Sequence, residues 1–161
     1  MSLKSSILFI IIAGLLISCD KKRVFDEYES VGSAWNMKKE VVFELPKMDT
    51  LKKYNLFINL RANDDYKFNN LFLIVSMEQP NGLTKVDTLE YEMTDAAGNW
   101  LGTGFTELKE NKLFYKENVL FSEKGDYKFN IKHATRSIND VKGENPLSGI
   151  TDVGLSIEIV K

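Results

Sequence analysis

The chain predicts an all-β fold, an antiparallel β-sandwich of seven or eight strands, immunoglobulin-like or jelly-roll-like, on three observations. Apolar residues alternate with polar ones over short runs. Turn residues separate those runs at spacings of about 8 to 15 residues. No stretch sustains a helical period beyond a turn or two.

The runs follow in order from Met37. In the first, Val41, Phe43 and Leu45 alternate with Val42 and Glu44, and Pro46 ends the run because it lacks a ladder donor. Leu56, Ile58 and Leu60 then alternate with Phe57, Asn59 and Arg61, giving one apolar and one mixed face. Residues 62–70, with Asn-Asp-Asp and Asn-Asn clusters, read as a loop. Residues 71–77 are apolar on both faces and predict a central strand covered on each side. Pro80-Asn81-Gly82 predicts a tight turn into a hairpin partner at 83–93.

Residues 94–104, T-D-A-A-G-N-W-L-G-T-G, are the least regular stretch, a folded loop whose Trp100 packs down on the core. Residues 112–121 and 126–134 form a strand pair around Ser-Glu-Lys-Gly, the second with Tyr127, Phe129 and Ile131 on one face. A second loop spans 135–149, and Val153, Leu155, Ile157 and Ile159 mark the last strand. There is no internal repeat.

The N-terminus carries the most specific signal. Lys4 precedes the apolar run 7–16, and the small residue Ser18 stands before Cys19, the only cysteine. A positive start, a short apolar core and a small residue at the cut are what export and cleavage require, and this core is too short to span a bilayer as a helix. Leu16, Ile17 and Ser18 with Cys19 resemble a bacterial lipobox. On that resemblance residues 1–18 are a cleaved lipoprotein signal peptide, and Cys19 carries a diacyl group on sulfur and a third chain on its freed amine. Two chains already anchor a protein stably. The alternative is an ordinary signal peptide beside a free thiol.

Removing residues 1–18 leaves 143 residues, a common size for one domain. Residues 20–33 are polar and charged with no sustained period, so residues 19–33 are expected to be the lipidated Cys and a flexible tether, and 34–161 a single sandwich domain. Such a tether spans at most ~45 Å. Lys21, Lys22 and Arg23 stand where anionic headgroups would lie. Acidic residues number 23 against 21 Lys and Arg, and nothing suggests nucleic acid as a partner. With its only Cys in the anchor the domain forms no disulfide, and ten Phe, six Tyr and two Trp must supply the core.

Chemistry-bearing groups are scarce. His133, the only imidazole, falls in phase with Tyr127, Phe129 and Ile131, so it reads as a partly buried structural histidine rather than a ligand. Without a second His or a free Cys, zinc sites and His-dependent nucleophilic catalysis are excluded. Asp64, Asp65, Asp95, Glu90 and Glu92 near strand ends could in principle serve as paired acid and base, but acidic loop residues are more often solvated turn formers. Gly98 to Gly104 fails as a phosphate loop, since no Lys and no helix follow. Asp64, Asp65, Asp95 and Asn99 have oxygens for calcium at a spacing that matches no dedicated loop, so no metal and no cofactor is expected. Trp100, Phe105 and Tyr66 could stack on a sugar, though core packing explains them better. Trp100, Asp64, Asp65, Asp95 and Asn99 are therefore the candidate ligand or partner contacts.

The lipobox, R-V-F-D-E-Y at 23–28, Trp35, Y-N-L-F-I-N-L-R at 54–61, N-L-F-L at 70–73, P-N-G at 80–82, V-D-T-L-E-Y at 86–91, G-N-W-L-G-T-G at 98–104 and D-V-G-L at 152–155 together resemble the gliding-motility lipoprotein GldH family. The resemblance implies a lipid-anchored cell-envelope protein required for gliding motility and associated with type IX secretion. It carries no catalytic residues to transfer. The expected role is a non-enzymatic assembly or interaction module, contacting the membrane through its lipid and other envelope proteins of the gliding and secretion apparatus. The alternative is a glycan-binding β-sandwich lipoprotein. Surface-export signals in similar lipoproteins are acidic after the Cys, whereas 21–23 are basic, so the expected location is the outer membrane, facing the periplasm.

Overall fold

The computed structural model describes residues 22–104, 107–136 and 143–160. Among these residues ten strands run in chain order: β1 (Arg23–Ser30), β2 (Ala34–Trp35), β3 (Val41–Glu44), β4 (Lys53–Ala62), β5 (Asn70–Glu78), β6 (Thr84–Glu92), β7 (Lys109–Leu120), β8 (Lys128–His133), β9 (Leu147–Ser148) and β10 (Ile150–Ile159). Eight long strands form two four-stranded sheets, β1-β10-β4-β7 and β3-β8-β5-β6, while β2 and β9 make a two-residue ribbon. All paired neighbours are antiparallel.

Counting only the long strands from one to eight, the sheets read 1-8-3-6 and 2-7-4-5. That interleaving, in which the chain crosses between sheets at nearly every step, is the double Greek key of a jelly roll. Of the two arrangements the sequence leaves open, the jelly roll is therefore the one adopted. The single tight hairpin between long strands, β5–β6, is the one Pro80-Asn81-Gly82 predicts: Gly82 takes φ 83°, and its N–H donates to the Gln79 carbonyl at 2.9 Å.

Alternation along each strand decides what is buried. Leu56, Ile58 and Leu60 of β4 and Val153, Leu155 and Ile157 of β10 face Leu71, Leu73 and Val75 of β5 and Phe129 and Ile131 of β8, all of them buried. Each such aliphatic side chain contributes roughly 1.5–3 kcal/mol by leaving water. Rings stitch the layers: Phe25 meets Phe43 edge-on at 6.2 Å, and Tyr115 meets Phe129 at 6.5 Å.

Several expectations are corrected. Residues 20–33 are not simply a tether, because 23–30 form edge strand β1, paired with β10 from Arg23↔Glu158 to Ser30↔Asp152. The ordering force is Phe25, 6% exposed, with Val31 just beyond the strand end at 6%. The second concerns 71–77: β5 is central in its sheet, but Phe72 and Ile74 on its outer face are only half-buried, so one side alone is fully covered. The strand expected at 112–121 begins earlier, at Lys109, and it does not pair with the strand that follows: β7 lies against β4 in one sheet and β8 between β3 and β5 in the other, so the chain crosses between the sheets there. The loop 135–149 contributes β9.

Candidate functional site

Pairing register places distant residues in rows across the outer face of the β1-β10-β4-β7 sheet. One row is Asp26, Ser156, Phe57 and Phe114; the next is Tyr28, Gly154, Asn59 and Lys112; the third is Ser30, Asp152, Arg61 and Glu110. At the centre the side chains shrink. A Cβ on Gly154 would lie 2.9 Å from the Tyr28 ring and from the Glu27 carbonyl, so the missing side chain lets Tyr28 lie across β10. There the Arg61 guanidinium sits 4.3 Å from the ring centroid.

A recess of about 190 Å³ opens among these rows. Asn59, 5% exposed, and Ser156, 1% exposed, line it, although both stand on the sheet's outer face. Charges at its rim cancel in pairs. Arg23 holds Asp26, Lys112 holds Glu158, and Arg61 donates to Glu110 at 2.8 Å. Asn59 Nδ2 donates to Asp26 at 3.4 Å, a long bond, and Ser156 Oγ has no hydrogen-bond partner. Burial, and then the Glu110 carboxylate, raise the Tyr28 hydroxyl above its ordinary range despite Arg61, so it stays a neutral phenol.

The boundaries of this fold coincide with those of a known family. A family model described as GldH lipoprotein matches residues 23–157, from the first residue of β1 to two residues before the end of β10. The chain is also 58% identical over 158 residues to the gliding motility lipoprotein GldH of Flavobacterium johnsoniae, covering 98% of each chain. The chain belongs to the GldH lipoprotein family. A GldH homolog of Christiangramia forsetii is 53% identical over 154 residues, covering 96% of this chain and 94% of its own. Among solved structures, a family GH115 4-O-methyl-alpha-glucuronidase gives a TM-score of 0.44 at 10% identity, over 89% of this chain and 18% of that one, a likeness that bears on neither fold nor function.

In this GldH-family domain the loop candidates separate by role. Asp95 is a turn former: its Oδ1 accepts from the N–H groups of Ala97 and Asn99, and its Oδ2 from Asn99 Nδ2 at 2.9 Å. The Asn99 side chain, then the Asn99 N–H, hold the Asp95 carboxyl below the usual carboxylate range. Asp64 and Asp65 are exposed in the turn after β4, where Asn63 Oδ1 accepts from the Asp65 N–H. Glu90 accepts from Asn70 on the neighbouring strand. No three metal-capable side chains gather among the described residues.

The rings of the two loops do meet. Tyr66, 5% exposed, lies 6.1 Å from half-buried Trp100 and 5.7 Å from Phe68, and its hydroxyl donates to the Asn70 carbonyl at 2.8 Å. Trp100 packs on the core as the sequence predicts. Phe105, Cys19, Leu16, Ile17 and Ser18 lie outside the described residues. His133 is a core residue: 1% exposed, its Nε2 donates to the Trp35 carbonyl. Sequence reasoning missed Tyr28, Asn59 and Ser156; Asn59 and Ser156 share one signal, a small or amide side chain in the outward phase of F-I-N-L and D-V-G-L-S, and Tyr28 carries none.

Proposed function

We propose that this chain is a lipid-anchored cell-envelope component of gliding motility, held through Cys19 after loss of residues 1–18. The observation that carries the reading is likeness along nearly the whole chain to a gliding motility lipoprotein. The apolar run before Ser18-Cys19 supports the anchor. We place the protein on the outer membrane facing the periplasm, on the strength of basic residues 21–23.

Its role in this reading is a non-enzymatic interaction module serving assembly of envelope machinery, including that of type IX secretion. The candidate carboxylates support it: Asp95 is occupied by its own turn, and Asp64 and Asp65 are exposed in another, none paired across a cleft. Labelling cells with radioactive palmitate tests the anchor. Wild type takes up label, and Cys19→Ser does not, keeps its β fold and abolishes gliding; a labelled serine variant overturns the reading. Cross-linked pull-down of the acylated protein should recover envelope proteins in fixed proportion, and a monodisperse monomer without partners counts against the module.

A further inference from the structure

We propose that the recess on the outer face of the β1-β10-β4-β7 sheet binds one neutral sugar ring through its hydroxyl groups, with Ser156 and Asn59 as the floor. The inference rests on side chains of the domain and is independent of the lipid anchor.

The decisive atom is Ser156 Oγ, shielded from solvent and, among the described residues, without a hydrogen-bond partner, in a residue 1% exposed. A buried hydroxyl left unpaired is disfavoured, and native proteins rarely keep one without a reason. Register puts this oxygen on the outer face beside Asp26, in the recess rather than among the core aliphatics. Beside it, Asn59 reaches Asp26 only at 3.4 Å, so the amide has donor capacity to spare.

Charge decides the class of ligand. A free anion would need an uncompensated cation, but Arg23 and Lys112 are each engaged by a carboxylate. A metal ion would need a cluster of ligating side chains, and none forms among the described residues. The available groups are the hydroxyls of Ser156 and Thr103, the primary amides of Asn59 and Asn111, a neutral phenol and the spare lone pairs of paired carboxylates. Neighbouring hydroxyls on a ring match that set, since each donates to a carboxylate oxygen while accepting from an amide or hydroxyl. The recess of about 190 Å³ is smaller than the pockets that hold drug-sized ligands, and suits a single ring better than a chain lying across the sheet.

The test titrates the full chain, in a detergent without a sugar headgroup, with hexoses, 6-deoxyhexoses, pentoses and N-acetylhexosamines. The readout is the NMR signal of the Asn59 side-chain amide. At least one sugar class should move it saturably, and Ser156→Ala should weaken that binding about tenfold, the loss of one hydrogen bond. The same variant should melt no lower than wild type, because it removes an unpartnered polar group. Asn59→Ala serves as a second variant with the same loss of binding, read on the Ser156 backbone amide. If no sugar in the panel moves the signal, or if both variants bind as wild type does, the recess is a solvent pocket and the proposal falls.

Discussion

The Nε2 of His133 lies 3.0 Å from the Trp35 carbonyl oxygen, with the two rings 5.1 Å apart. That bond ties β8 to the short β2–β9 ribbon and requires the proton on Nε2, leaving Nδ1 without a partner. Burial pushes the imidazole below its ordinary range, and the bond to Trp35 only partly opposes this. Because the unfolded chain binds a proton near pH 6.5 and the folded one resists it, the stability is fully present above that pH. It is lost as pH falls toward the lower folded value, at no more than about 1.4 kcal/mol per pH unit. Urea titrations between pH 7 and 5 should show this slope in wild type and not in His133→Gln.

The open side of the sandwich is closed by the Asp87 carboxylate, beside a bond from Tyr91 Oη of β6 to the Phe114 carbonyl of β7 at 2.8 Å. Tyr115 Oη and Lys116 Nζ, both on β7, each donate to Asp87 Oδ2 of β6 at 2.6 Å, linking the edge strands of opposite sheets. Burial disfavours the ionised form, but the Lys116 and Tyr115 bonds outweigh it and hold the carboxyl below its usual range. Asp87→Ala should cost about 1–3 kcal/mol in urea unfolding, since it strands the hydroxyl of a buried Tyr. Asp87→Asn, which keeps an acceptor, should recover part of the loss.

Trp100 covers Tyr66 from a loop, so its removal should register as packing. Trp100→Ala should lower stability by about 2–3 kcal/mol, below the value for a fully buried ring because Trp100 is only half-buried. Calorimetric melting checks this, and an unchanged melt would mean the ring rests on the surface without contributing.

A chain beginning at residue 34 lacks β1 and Phe25 and uncovers the edge of β10. It should aggregate or fail to melt cooperatively, whereas a chain beginning at residue 22 should fold. Phe25→Ala within the intact chain should cost about 3–5 kcal/mol.

Much of the fold could be read along the chain. Alternation in β4 and β10 and the turn at Pro80-Asn81-Gly82 are local signals, and the structure follows them. β1 escaped because V-F-D-E-Y-E-S buries one side chain fully, Phe25, and an edge strand with one buried residue has no period to detect. Phe72 and Ile74 misled in the opposite direction, since half-buried apolar residues read like buried ones. The recess was illegible for a further reason: Tyr28, Asn59 and Ser156 come from three strands whose adjacency follows from sheet order, which no local pattern specifies. For His133, by contrast, phase gives the inward side correctly, and the structure buries the ring more completely than phase alone implies.

The entry of the chain into β1 has a mechanical consequence. On the proposed lipidation of Cys19, only three residues would separate the anchor from Arg23, a leash of at most ~14 Å. Traction between membrane and domain then arrives at the first residue of a strand whose partner β10 runs the opposite way, with the Ile159 N–H bonded to the Lys22 carbonyl beside the point of attachment. Ladder bonds lie across the strands, so tension directed along β1 shears them together instead of opening them one after another. The edge strand thus acts as a grip, and the domain resists being pulled from its mount by the length of that grip.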